Sequence, residues 1–251
     1  MLVSQFYDII GNRNSMKKVD KMNILAFDTS NKALSVAILE DQELLAETTL
    51  NVKKNHSVSL MPHIEFLMDS IEIAPGDLDR IVVAEGPGSY TGLRVAVATA
   101  KMLAYSLAIE LVGVSSLYAL AAPAMQKDAL IIPLIDARRR NVYAGFYQNN
   151  QSARPDQHIA ISELLASLDP SQKICFVGEV EAFAEEIAET LPDAKIQATL
   201  PSAYQIGKVG QMMVPVDVDA FVPEYLKKVE AEENWLKTHQ AGNQDNYIKR
   251  V

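Results

Sequence analysis

Cysteine is almost absent: Cys175 is the only one in 251 residues. That excludes an internal disulfide and a cysteine-ligated metal cluster, and it points to a reducing compartment, the cytoplasm. Long apolar runs are missing too, so no membrane association is expected. Positive charge is scarce, with 23 Lys and Arg against 32 Asp and Glu, a formal net charge of -9. Such a chain is a poor stand-alone ligand for nucleic acid, because phosphate neutralisation dominates that affinity. Its basic runs, Lys53-Lys54 and Arg138-Arg139-Arg140, are short and read as solvated turns. Any RNA contact is therefore expected to be indirect. The four histidines are His56, His63, His158 and His239. His56 and His63 are separated by roughly 10 Å of helical rise, too far to share one ion, and no metal is expected.

What is present is an ordinary globular composition, 49% hydrophobic and 22% charged. Its centre is the stretch from Arg80 to Leu107. Ile81–Ala84 reads as a buried strand, and Gly86-Pro87-Gly88 turns the chain. Ser89 or Thr91 then caps a helix. A strand, a glycine loop and a helix start can cradle an anion on backbone N–H groups. Gly86, Pro87, Gly88, Ser89, Tyr90, Thr91, Gly92 and Arg94 are the candidate contacts. The generic motifs fit badly: Thr91 stands where a dinucleotide fingerprint needs its third glycine, and no lysine follows Gly92. A tight strand-to-helix turn explains the same residues. Ser89 lacks the G-x-S-x-G setting of a nucleophile, and no catalytic residue is expected.

The helix after the loop is apolar nearly all round, which requires cover on two sides. Ala96, Ala100 and Ala104 recur every fourth residue and would admit a second helix closely. It is either a central core helix or part of a subunit interface. An amphipathic helix over Ser57–Ile71 precedes it, with Pro62 predicting a kinked first turn or a later start.

Along the chain, residues 1–21 read as a detached extension, expected to be disordered. Strands at Asn23–Asp28, Leu34–Leu39 and Leu44–Leu50 are joined by short polar turns, hence antiparallel. With the helices and the strands at Ile81–Ala84 and Leu111–Val114, residues 22–126 give the order βββαβαβα. Residues 127–214 repeat it loosely: a hairpin from Leu130 to Tyr147, helices from Ser162, Val180 and Ser202, and strands at Lys173–Val177 and Lys195–Ala198. Residues 215–251 read as a helical tail. The expected fold is α/β, two tandem ribonuclease-H-like units in the actin-like, sugar-kinase-like arrangement, the second reduced.

ATP-using members of that architecture need glycine after the hairpin aspartate, so that the backbone can approach phosphate. Here the hairpins read Asp28-Thr29-Ser30-Asn31-Lys32 and Asp136-Ala137-Arg138-Arg139-Arg140. Neither has the glycine. Both aspartates serve as turn caps or are relics, and little ATP hydrolysis by the isolated chain is expected.

The segments Ile24–Ser30, Asn55–Pro62, Gly86–Arg94, Gly113–Leu117 and Ile135–Arg139 together resemble the bacterial TsaB (YeaZ) family, over residues 22 to about 225. The resemblance implies a non-catalytic subunit in making threonylcarbamoyladenosine beside the tRNA anticodon. It implies pairing with a TsaD-like transferase, joined by a TsaE-like ATPase, and a homodimer when alone. No cofactor is implied for the isolated chain; ATP or ADP belongs to the complex. The pairing surface implied is the first two helices, with Leu60, Met61, Ile64, Leu67, Met68, Val95, Ala96, Ala100, Met102 and Leu103. The competing enzyme readings are a glycoprotease-like peptidase and a small-molecule kinase of the same fold.

Overall fold

The computed structural model describes residues 21–52 and 56–227. The expectations for residues 1–20 and for the tail beyond 227 lie outside the described residues.

β1 (Asn23–Asp28), β2 (Leu34–Glu40) and β3 (Glu43–Leu50) form an antiparallel meander. β4 (Arg80–Gly86) and β5 (Glu110–Ser115) extend it in parallel, giving the order β3-β2-β1-β4-β5. α1 (His56–Ser70) follows β3, α2 (Tyr90–Leu107) follows β4 and α3 (Ser116–Ala121) follows β5. α1 runs through Pro62 and is already formed at His56, so the later start is not seen.

The second half repeats the plan. β6 (Leu130–Asp136), β7 (Asn141–Gln148) and β8 (Gln151–Ala160) are antiparallel, and β9 (Ile174–Gly178) and β10 (Lys195–Ala198) add in parallel. The sheet order β10-β9-β6-β7-β8 is that of the first sheet. α4 (Ile161–Ala166), α5 (Ala184–Thr190) and α6 (Ala203–Gly210) occupy the corresponding places. This is the actin-like pair of ribonuclease-H-like units. The reduction of the second lies in its helices: α4 and α5 have 6 and 7 residues, α1 and α2 have 15 and 18.

Alternation along each central strand feeds two cores. Leu25, Phe27, Ile81 and Val83 face α1 and α2, whereas Ile24, Ala26, Val82 and Ala84 face α6 and α3. In the second sheet Leu130, Ile132 and Leu134 face α4 and α5, and Ile131 and Ile135 face α3.

The expected boundary at residue 214 is corrected by α6. It packs on the first sheet, with Ala203 and Ile206 buried against Ala26, Ala37 and Leu39. Glycine permits this approach: a Cβ at Gly207 would lie 2.6 Å from Leu39 Cδ1, and one at Gly210 would lie 2.6 Å from Val82 Cγ1. The buried Arg80 guanidinium fixes the helix end, donating to the carbonyls of Gly210 and Gln211, both at 2.7 Å, and pairing with Glu110.

Residues 215–227 are also not helical. They form a strap over the first unit. Val216 N donates to Leu111 O, Lys101 Nζ donates to Asp219 O and Phe221 O, and Glu224 N donates to Glu85 O. Phe221 is buried in the core beneath α2.

Candidate functional site

The glycine loop between β4 and α2 is packed on both sides by its own chain. A Cβ on Gly88 would collide with Ser30 O, one on Gly92 with Thr29 O, and one on Gly86 with Glu224 O. Gly86 also has φ of +135°, which side chains rarely adopt. Ser89 N donates to Ser30 O at 2.6 Å, and Thr29 Oγ1 donates to Gly92 O at 2.7 Å. The hairpin Asp28–Asn31 thus lies directly on the glycine loop, carbonyls against glycines. Ser89 caps α2, its hydroxyl accepting from Gly92 N, and no base is hydrogen-bonded to it among the described residues. Of the candidate loop contacts, Gly86, Pro87 and Gly92 are buried and Gly88 is half-buried. Ser89, Tyr90, Thr91 and Arg94 are exposed. Arg94 Nη1 donates to Tyr90 Oη at 2.7 Å, and Tyr225 of the strap stacks on Tyr90 at 5.3 Å.

The two hairpin aspartates do the same job. Asp28 Oδ1 accepts from Ser30 N at 2.6 Å, and Asp136 Oδ1 accepts from Arg138 N at 2.7 Å. Each caps its turn. Asp28 is fully buried, and its Oδ2 has no hydrogen-bond partner. Burial raises its pKa to about 6. The residues present do not fit a nucleotide held on both hairpins: one turn is filled by the loop, and the other presents arginine where close approach needs glycine.

The second turn is unusual in itself. Arg138, Arg139 and Arg140 all lie in the left-handed region, at φ of 66°, 53° and 60°. That conformation costs roughly 1–2 kcal/mol for each residue with a side chain.

The pairing helices need correction. Leu60, Ile64, Leu67, Met68, Ala96, Ala100 and Leu103 are buried against their own sheet. The alanine row lies in the chain's own core, shared by the first sheet and α1, so Ala100→Glu would report on folding rather than pairing. Val95 is half-buried, whereas Met61 and Met102 remain on the surface. They join apolar residues that the sequence reading missed: Val58 at 68% exposure, Phe66 at 64% and Tyr105 at 75%. For α1 the signal was Val58 and Met61, three apart, and for α2 it was Ala98, Met102 and Tyr105, four and three apart; Phe66 follows neither spacing. The α1–α2 face thus carries an apolar stripe that nothing in the described chain covers.

No group of three or more His, Cys, Asp or Glu able to hold a metal occurs among the described residues. His56 Nε2 contacts Asn31 O at 3.0 Å, and His63 Nδ1 contacts Ser59 O at 2.6 Å.

Carboxylates gather where strap and sheets meet. Ser115 Oγ donates to Asp156 Oδ2 at 2.5 Å, and Tyr147 Oη donates to Ser115 Oγ at 3.4 Å. Burial, and then the nearby Glu224, raise the Glu85 pKa to about 7. Burial raises that of Asp156 to about 6, with Glu224 adding to it and the Ser115 hydroxyl opposing.

Residues 43–235 match the family described as TsaD, tRNA N6-adenosine threonylcarbamoyltransferase. The tRNA threonylcarbamoyladenosine biosynthesis protein TsaB of Bacillus subtilis is 38% identical over 229 residues, 87% of this chain and 100% of that protein. Its Escherichia coli namesake is 31% identical over 133 residues, 52% of this chain and 57% of that protein. Among solved structures, YeaZ from Pseudomonas aeruginosa superposes with a TM-score of 0.70 at 25% identity, covering 82% of this chain and all of that one.

Proposed function

This chain belongs to the TsaB (YeaZ) family of tRNA threonylcarbamoyladenosine biosynthesis proteins, and from that premise we propose that it is a non-catalytic pairing subunit. It docks its α1–α2 face on a TsaD-like transferase, and a TsaE-like ATPase joins the pair. The observation that carries this reading is the uncovered stripe of Val58, Met61, Phe66, Met102 and Tyr105 on two helices whose other faces are already buried. Scattered exposed apolar residues are normal, but five large ones on two helices that touch each other point to an interaction surface. Aromatic and methionine side chains are the types enriched at interface centres. In isolation the same face pairs two copies of the chain in a symmetric dimer. Any ATP or ADP binds in the complex, where the exposed rim of Tyr90, Thr91 and Arg94 borders the paired helices. The working compartment is the cytoplasm.

Catalysis then belongs to the partner. The test is reconstitution of threonylcarbamoyl transfer to tRNA from purified components. The chain alone should transfer nothing, activity should need the TsaD-like protein, and Ser89→Ala should leave the reconstituted rate unchanged. Transfer by the isolated chain would refute the non-catalytic assignment.

A further inference from the structure

Met212, Met213, Val214 and Val216 form a second exposed apolar surface. They follow α6, which packs on the sheet face opposite α1 and α2. Met212 is 77% exposed and Val214 85%, so the described residues leave both side chains open. The backbone beneath them is pinned. Arg80 Nη1 donates to Met213 O at 3.2 Å, Met212 N donates to Val209 O at 3.1 Å, and Val216 N donates to Leu111 O at 2.8 Å. The exposed side chains thus stand on a fixed frame, unlike those of a loose loop.

The chain enters the fold beside this surface. Asp41 Oδ1 accepts from Met22 N at 3.0 Å and from Gln211 Nε2 at 3.3 Å. Met22 and the residue before Met212 therefore share one carboxylate oxygen. The sequence ahead of Lys21 has two unlike halves. Residues 1–10 are mostly apolar, with Leu2, Val3, Phe6, Tyr7, Ile9 and Ile10. Residues 11–20 are mostly polar and carry Arg13, Lys17 and Lys18. The rim at the point of entry has the opposite charge. Lys21 pairs with Glu40 and feels Asp41 and Glu43, and Asn23 N donates to Asp79 Oδ2 at 2.9 Å.

We propose that residues 1–10 dock on the Met212–Val216 surface of the same chain, with residues 11–20 as a tether along the acidic rim. Ten tether residues span up to roughly 35 Å, ample for a surface that starts beside Met22. Tethering sets an effective concentration on the order of millimolar, so a modest apolar contact is enough to seat the arm. The C-terminal tail is placed elsewhere. Glu224 N donates to Glu85 O, at the end of β4 opposite Arg80, so the chain beyond 227 continues from the far end of that strand. The α1–α2 face stays open to a protein partner while the arm is seated. The inference does not depend on the pairing role, and it gives the extension, expected to be detached, a place on the fold.

The test is methionine oxidation by dilute hydrogen peroxide, read by peptide mass spectrometry, on the full chain and on a chain lacking residues 1–20. Removing the arm should speed oxidation of Met212 about tenfold, because sulfoxide formation follows exposure, and should leave Met102 on α2 unchanged. The full-length variant Phe6→Asp, Ile9→Asp leaves residues 21–227 untouched and should match the shortened chain. Equal Met212 rates in all three proteins would overturn the inference. Protection that fades on dilution would assign the surface to a second copy and overturn it as well. Protection lost only on removing residues 228–251 would assign it to the tail, and protection that needs the TsaD-like protein would assign it to that partner, both with the same consequence.

Discussion

The two hairpins that open the two sheets share one design and have opposite surroundings. Each has an aspartate whose Oδ1 accepts the N–H two residues on, at 2.6 Å for Asp28 and 2.7 Å for Asp136. Each sits at the same place in the same strand order. The first is sealed: Asp28, Thr29 and Ser30 are fully buried, and the glycine loop lies on their carbonyls. The second stands open, with Arg138–Arg140 exposed on left-handed backbone. A duplicated framework has thus kept its turn chemistry and lost its symmetry of use. Neither hairpin has glycine, whereas the loop that covers the first has three. The first turn has become part of the core, and the second has become surface with a charge pattern of its own.

Breaking the sealed side should have the largest effect. Gly92→Ala places a methyl group against the Thr29 carbonyl, backbone against backbone, with no flexible end to yield. It should cost about 3 kcal/mol in a urea unfolding titration. A smaller loss sets the sealed hairpin in doubt, because the loop would then have room to shift.

Changing pH should act next, and in one direction. Asp28, Glu85 and Asp156 have folded-state pKa values raised to about 6, 7 and 6. Raised carboxyl values mean stability that is complete below the unfolded pKa near 4 and is lost as pH climbs through 6 and 7. The protein should therefore unfold more easily at about pH 8 than at about pH 5, by roughly 1–2 kcal/mol after allowing for solvent screening. Asp28→Asn and Glu85→Gln should each flatten that profile. A melting temperature that rises over the same interval would contradict the assignment.

The open side should respond with the opposite sign and the smallest size. Arg139→Gly relieves a left-handed residue that has a Cβ and should raise stability by about 1 kcal/mol. The contrast sharpens the comparison: adding a methyl to the loop that seals one hairpin destabilises, while removing a side chain from the other hairpin stabilises.

Much of this was legible in the sequence, and the failures have physical causes. The β-branched strands, the antiparallel opening of each unit and the helix start at Ser89 follow from local pattern and cap chemistry. β8 was not legible: it is largely exposed, polar and interrupted by Pro155, all of which an edge strand tolerates. The place of α6 was hidden because Gly207 and Gly210 read as weak helix formers, while their use is close contact with Leu39 and Val82. In α2, apolar residues occupy both faces, so periodicity alone could not tell the alanines that meet the sheet from Met102 and Tyr105, which meet solvent. The filled loop was invisible because the filling residues, Thr29 and Ser30, lie some sixty positions earlier in the chain.

The claim that the uncovered α1–α2 stripe is the pairing surface has one direct test. Light scattering on size-exclusion fractions gives the mass of the chain mixed with its TsaD-like partner, unsubstituted and as Tyr105→Asp. Tyr105 is 75% exposed, so the substitution should leave the melting temperature alone. The account predicts a one-to-one complex for the unsubstituted chain and an affinity about 30-fold weaker for the variant, the effect of losing an interface hot spot. A variant that pairs as tightly as its parent would contradict it.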